Sequence, residues 1–287
     1  MRFAVTVALW LATTVALAVA VPAAWTQLHL VDADGYAAMA TEAAGDPALQ
    51  SAMAADLTTR AMALIAARGA GRYPVDSSQL HAAAAAFTAG PGFPPLFAQA
   101  NRSAHDWLFD AAGPGQGGDQ WVVDVAPMLE DSSIQPLLSG YHVNVPANVA
   151  VPVAVSVPAS LRRGELSRLA AWGPWLSVGA VAVTGWCALL TLAAARRRGQ
   201  ALTSLGVSAL LVGASGYAAI EVGRRRVNDV LNHTAGDVRR IADVMVGRAE
   251  AGLHEWLDLT LMAGVGLVVS GVVVAVLGGL RKPASRT

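Results

Sequence analysis

Charge is scarce in this chain, and over long stretches it is missing altogether. Asp, Glu, Lys and Arg make up 14% of the sequence, against about 25% in a soluble globular domain. Four runs hold no charged residue: Phe3–Gln27, Leu169–Ala195, Gly199–Ile220 and Leu259–Leu280. At about 1.5 Å of rise per residue, each exceeds the roughly 20 residues that cross a bilayer core of about 30 Å. Inside lipid only a helix closes its own backbone hydrogen bonds, so all four are expected to be membrane helices. A wholly soluble protein is thereby excluded, and the 54% hydrophobic content and mean hydropathy of +0.47 agree.

Other absences narrow the reading further. Cys187 is the single cysteine and lies in the second run, so no intramolecular disulfide exists and any exported part folds on packing alone. A lone thiol in an apolar helix behaves as a small hydrophobe. Lys282 is the only lysine; the other basic residues are all Arg, which reflects coding bias rather than chemistry. The four runs contain no Asp, Glu, Lys, Arg or His, the groups that usually mark ion and proton routes, and no inverted repeat is evident. Nucleophile elbow, phosphate loop and Cys/His metal spacing are also missing. No catalytic, cofactor-binding or metal residue is assigned, no cofactor is implied, and a net charge of zero offers nothing to nucleic acid.

What charge there is sets the expected topology. Arg196-Arg197-Arg198 separates the second and third runs, and short basic loops stay cytoplasmic. The chain then divides into an N-terminal membrane anchor (1–27), an exported mixed α/β domain (28–168), a membrane helix (169–195), a cytoplasmic Arg turn (196–200), a membrane helix (201–221), an exported amphipathic helical hairpin (222–258), a last membrane helix (259–280) and a cytoplasmic tail (281–287). On this division the cytoplasmic pieces hold seven bases and no acid, and the exported pieces 13 bases and 20 acids, a formal −7. Trp25, Trp172, Trp175 and Trp256 all fall at the outer ends, where amphipathic rings prefer the headgroup level. The first run competes as a cleaved signal, with Ala18-Val19-Ala20 or Val21-Pro22-Ala23 as cleavage sites. Its apolar core from Ala4 to Val21 exceeds the usual 7 to 15 residues, so an uncleaved anchor is expected. The expected fold class is a mainly α membrane protein with four membrane helices and an exported, mostly helical α+β domain.

Within 28–168 the first half reads as helix. Asp46 caps a helix with Pro47 at its first position, and Leu49, Met53, Leu57, Ala61, Leu64 and Ile65 form its apolar stripe up to Gly69. Asp76 or Ser77 caps a second helix through Phe87, and a third runs from near Pro94 to about Ala112. A flexible loop is expected at Gly113–Gly118. Trp121–Val125 and Val149–Val157 read as strands, the second at an edge because Pro152 donates no hydrogen bond. Met128–Leu138 reads as a short helix between them. From Ser160 a helix is expected to enter the membrane with a break at Gly173-Pro174. Gly236 is expected to end the helix that leaves the third run, and Asp237 to cap the next, with an apolar face of Val238, Ile241, Met245, Ala249, Gly252 and Trp256. In the fourth run Gly271, Ala275 and Gly279 form a small-residue row, with Gly266 and Ser270 beside it. This row is expected to pack on Ala209 and Gly213 of the third run within one molecule, bringing Gly213 close to Ala275, with homodimer contact as the alternative.

Several candidate sites reduce to structural readings. Asp32-Ala33-Asp34-Gly35 starts like a calcium loop but lacks the later ligands, so helix capping is expected. His254-Glu255-Trp256-Leu257-Asp258 has Asp where a zinc protease motif needs its second His, and reads as a polar interfacial face. His105-Asp106 beside Asp110, with Asp124 elsewhere, is an acid–base cluster only if folding gathers them; His142 lies near the strands. Arg224-Arg225-Arg226, beside Glu221 and Asp229, reads as a solvated helix face with contact to an anionic lipid as the alternative.

Tyr36, the Asp46-Pro47-Ala48-Leu49-Gln50 run, the two Val-rich segments ahead of a membrane helix and the Arg-rich turn give a layout that resembles a group of uncharacterised integral membrane proteins of actinobacteria, of streptomycete and mycobacterial types. The likeness covers most of the chain and implies a cell-envelope setting, with no activity attached. The functional expectation is a non-enzymatic envelope protein whose exported domain binds a protein, lipid or wall component as accessory factor, scaffold or sensor. A small transporter or channel component and an envelope enzyme are the alternatives. Membrane lipid and an envelope protein or lipid are the expected partners, with a homo-oligomer open.

Overall fold

The computed structural model describes residues 2–69, 76–109, 122–141, 143–147, 149–152, 166–195, 198–232 and 236–280. Its elements are α1 (Arg2–Thr26), a π turn (Gln27–Val31), α2 (Ala33–Ala43), α3 (Pro47–Gly69), α4 (Ser77–Thr88), α5 (Phe93–Phe109), β1 (Val122–Asp124), α6 (Ala126–Leu129), α7 (Gln135–Gly140), β2 (Ala150–Pro152), α8 (Ser167–Ala194), α9 (Arg198–Leu231) and α10 (Gly236–Leu280). The protein is mainly α-helical. Four stretches are long and apolar enough to cross a membrane: Ala4–Val31, Ser167–Ala194, Arg198–Asp229 and Gly236–Leu277.

The chain forms two compact units. One, the membrane unit, comprises Met1–Gln27, Trp172–Arg225 and Glu250–Thr287; the other, the helical domain, comprises Leu28–Ala171 and Arg226–Ala249. In the helical domain, local capping starts the helices. Asp32 accepts from the Gly35 amide at 2.8 Å, Asp46 from Ala48 at 2.8 Å, and Asp76 from Ser78 at 2.9 Å and Gln79 at 3.3 Å. Each satisfies amides that a helix N-terminus leaves without a partner. The apolar stripe of α3 (Leu49, Met53, Leu57, Ala61 and Ile65) then meets Leu80, Ala84 and Phe87 of α4 and Phe93 and Phe97 of α5 in one buried cluster. Phe93 sits at its centre, edge-on to Phe87 with ring centroids 5.7 Å apart. Val238, Ile241, Val244 and Met245, from the first turns of α10, pack on the same cluster.

The strands fall short of an α+β domain. β1 and β2 pair antiparallel over three residues each, Val122 opposite Pro152 and Asp124 opposite Ala150. Pro152 brings no N–H to the ladder, and at the other end the Asp124 carboxylate accepts from Ala126 at 2.9 Å and Val149 at 2.8 Å; residues 121 and 153–157 of the two expected strands lie outside the described residues. Among the described residues the domain is helical with one short ribbon. The single helix expected over Met128–Leu138 is split into α6 and α7, because Asp131 accepts from the Ser133 amide at 2.9 Å in a turn that competes with helix. The loop at Gly113–Gly118, residues 153–165 with the Ser160 cap, Arg196 and Arg197 of the basic turn and the tail 281–287 lie outside the described residues.

Two further expectations are corrected. α8 continues unbroken through Pro174, its eighth residue. Gly236 does not end α9, which stops at Leu231; it opens α10 with a φ of +64°.

In the membrane unit, α9 packs against both α1 and α10. Toward α1, the Trp10 indole donates to the Ser204 carbonyl at 2.9 Å, and the Thr14 and Ser208 hydroxyls lie 2.8 Å apart. Toward α10 the backbones nearly touch. A Cβ added to Gly199 would lie 2.6 Å from the Gly271 carbonyl oxygen and 2.7 Å from the Ala275 nitrogen, and one on Gly206 would lie 2.6 Å from the Gly264 carbonyl oxygen. Farther along, Gly213 faces Leu261 and Gly216 faces Leu257. Rising numbers on α9 thus meet falling numbers on α10, so the pair is antiparallel. The Gly271 row does meet the third span, but Gly213 and Ala275 are not partners, and Gly266 has nothing within 4 Å. Contacts recur every seven residues on both helices, at Gly199, Gly206 and Gly213 and at Leu257, Gly264 and Gly271, which is the periodicity of a left-handed supercoil. Outward-facing Val and Leu side chains, among them Val15, Val178, Val269 and Val276, complete an apolar surface suited to lipid.

Candidate functional site

The most developed cluster of polar and aromatic side chains in the helical domain gathers around His105 of α5. Its ring is 5% exposed. Nε2 donates to the Leu30 carbonyl of the π turn at 3.1 Å, covering an acceptor that the irregular helix end would otherwise leave bare. Phe109 stacks on one side with centroids 4.3 Å apart, and Tyr36 of α2 is tilted against the ring at 5.3 Å. Nδ1 is buried without a hydrogen bond; Oδ1 of Asp106 stands 3.8 Å from it. The Tyr36 hydroxyl reaches Asn101 Oδ1 at 3.4 Å, and burial pushes its pKa above the ordinary tyrosine range. Arg102 and Asp34 close the α2–α5 seam at the surface with a 2.7 Å ion pair. Gly35 is required here, because a side chain would collide with the Leu28 carbonyl. Taken together, the cluster is a pin that fixes the π turn and α2 onto α5.

A second cluster lies on α3. Asp56 is 7% exposed and pairs with Arg60 at 3.4 Å, while Arg60 Nε is buried with no partner. Burial raises the Asp56 pKa, the charge of Asp237 at the start of α10 raises it further, and Arg60 opposes both. At the surface, Asp76 is moved the other way: hydrogen bonds from the Ser78 hydroxyl and from the Ser78 and Gln79 amides lower its pKa.

In the membrane unit, Tyr217 of α9 donates to Asp258 of α10 and its ring stacks on His254 with centroids 4.9 Å apart. His254 and Asp258, one helical turn apart, share a face, and that face is taken up by a tyrosine.

No protein-family model, curated protein or solved structure matches this chain.

The residues singled out in the sequence therefore meet different fates. Asp32 caps α2, and Asp34 pairs with Arg102. His105 and Asp106 are neighbours in a structural pin, and the Asp124 carboxylate is engaged at the ribbon. Asp110 and His142 lie outside the described residues. Among the described residues, no three His, Cys, Asp or Glu side chains stand close enough to hold a metal ion. Sequence reasoning missed the partners: Leu30, Tyr36 and Phe109 for His105, and Tyr217 for the His254–Asp258 face. The small-residue row had pointed to the α9–α10 seam, and a seven-residue glycine count on α9 would have given its register.

Proposed function

We propose that this chain is a non-enzymatic cell-envelope membrane protein. Its helical domain stands outside the cytoplasm and binds a protein, lipid or wall component as accessory factor, scaffold or sensor. One observation carries the reading: the polar groups of the domain that stood out in the sequence serve to hold a separately cored helical body together. Asp32, Asp46, Asp76 and Asp124 cap turns and His105 pins a helix end, so the domain is built to present a surface. The four membrane-length helices favour the same role, since their polar contacts in the α1–α9 seam are hydroxyls and an indole that bond one another or backbone. The cytoplasmic placement of both termini rests on the seven-to-none split of basic and acidic residues.

Two measurements test the proposal. In a Cys187→Ala background, a membrane-impermeant thiol reagent applied to intact cells labels Gly117→Cys and Thr234→Cys and leaves Gln200→Cys unlabelled; labelling of Gln200→Cys reverses the topology. A photoreactive side chain at the exposed positions Gln99, Ser103 or Glu130 then yields a discrete adduct in intact cells. A domain that yields none from any of the three has no bound partner on that surface, and the binding role fails.

A further inference from the structure

We propose that Arg224, Arg225 and Arg226 of α9 bind the headgroup phosphates of anionic phospholipids. The three are consecutive in an unbroken helix that starts at Arg198. At about 1.5 Å per residue they stand roughly 39 to 42 Å along the axis from Arg198. A bilayer with its headgroups is about 40 to 45 Å thick, so α9 carries guanidinium groups at both headgroup layers. This stretch of helix is also bare. Every residue from Glu221 to Asp229 is exposed, Val222 at 62% and Arg225 with a side chain at 75%. Nothing lies within 4 Å of the position a side chain on Gly223 would take.

Successive residues of a helix are turned by about 100°, so the three side chains fan through roughly 200° of the circumference. One of them, Arg225, is held by Glu221 at 3.3 Å. Arg224 and Arg226 make no ion pair among the described residues. Guanidinium presents a planar fork that matches phosphate oxygens in pairs, and its apolar stem lies well beside exposed Val222 and Val227 at the edge of the hydrocarbon. Depth selects the occupant. An acidic protein would bring the same charge, but lipid phosphate is present at that level all around the helix. The inference requires only that α9 crosses the membrane and is independent of what the helical domain binds.

The test uses the full chain in detergent micelles, with arginines modified by phenylglyoxal and mapped by mass spectrometry. Added phosphatidylglycerol should slow modification at Arg224, Arg225 and Arg226 about fivefold, the size set by roughly 1 kcal/mol per guanidinium at an anionic surface, while phosphatidylcholine should not. Arg240, exposed but paired with Asp237 at 3.5 Å, is the internal reference whose rate stays constant. Equal protection by the two lipids overturns the proposal, because the shielding would then not depend on headgroup charge, and protection by neither overturns it in favour of another partner. Equal protection by inorganic phosphate also overturns it, reassigning the cluster to a free anion. Converting all three to Gln should lower retained phosphatidylglycerol at least twofold; unchanged retention in a folded variant sinks the idea, and for a variant that does not fold the protection pattern of the native chain decides.

Discussion

The two units of this protein are held together by opposite uses of side-chain size. In the helical domain the large groups are inside: Leu49, Leu57, Phe93, Leu129 and Leu138 are fully buried, and the domain gains from taking them out of water. In the membrane unit most large groups are outside, with Trp175 at 76% and Val178 at 66% exposure, while Gly206, Ala209 and Ser208 are buried between helices beside a few larger groups such as Trp25 and Leu257. Lipid is as apolar as leucine, so burying leucine there yields nothing and close approach of backbones decides. The same abundance of Ala and Gly therefore means a filler between larger groups in one unit and the interface itself in the other.

Four experiments break or sharpen that comparison. The largest effect belongs to the domain: Phe93→Ala should cost about 3 to 5 kcal/mol, read as faster amide exchange across α3, α4 and α5. A change under about 1 kcal/mol would mean that the Phe87–Phe93–Phe97 cluster does not organise the core. Next, Gly206→Leu should destabilise the membrane unit by about 1 to 3 kcal/mol or more, the range for overpacking, because backbone stands where the new side chain must go. Gly266→Leu, on an open face of α10, should leave the thermal midpoint in detergent unchanged. Equal midpoints for the two variants would remove the seam.

A smaller effect is expected in the same unit for Thr14→Val, which loses the Ser208 hydroxyl contact at about 0.6 kcal/mol, the average for interhelical hydrogen bonds in lipid. If its thermal midpoint in detergent fell as far as that of Gly206→Leu, hydroxyls rather than glycines would be holding α9.

The last effect is a difference in pH dependence between two carboxylates of the domain. The Asp56 pKa is raised in the folded state, so its contribution to stability is present below the ordinary carboxylate range and is lost as pH rises through the raised value. Asp76 is lowered, so its contribution is present above the ordinary range and is lost as pH falls through the lowered value. Asp56→Asn should therefore gain more at pH 7 than at pH 4, and Asp76→Ala should lose more at pH 7 than at pH 3. Thermal melts across that range check both signs, and parallel pH profiles for the two variants would contradict them.

Local rules made much of the helical domain legible. Asp46-Pro47 and Asp76 announce helices because a cap acts on amides two or three residues away, and the stripe from Leu49 to Ile65 declares its buried face through periodicity alone. The strand reading held over the described residues, where Val122–Asp124 pairs with Ala150–Pro152 as Val-rich runs favour extended chain, but one short ribbon does not make the expected α+β domain. Pro174 misled as well: proline disfavours a helix interior, yet α8 runs through it unbroken.

By itself the sequence determined which stretches are long and apolar enough to cross a membrane, where most helices of the domain begin and which of their faces are apolar, because hydrophobic length, capping and periodicity are properties of neighbours along the chain. Tertiary structure alone decided the partners. Leu30, Tyr36, His105 and Phe109 span about eighty positions, and Gly199 meets Ala275 across as many again. Which ring stacks on which, and which glycine admits which backbone, depends on how helices cross in space, and no spacing within one helix encodes the register of another.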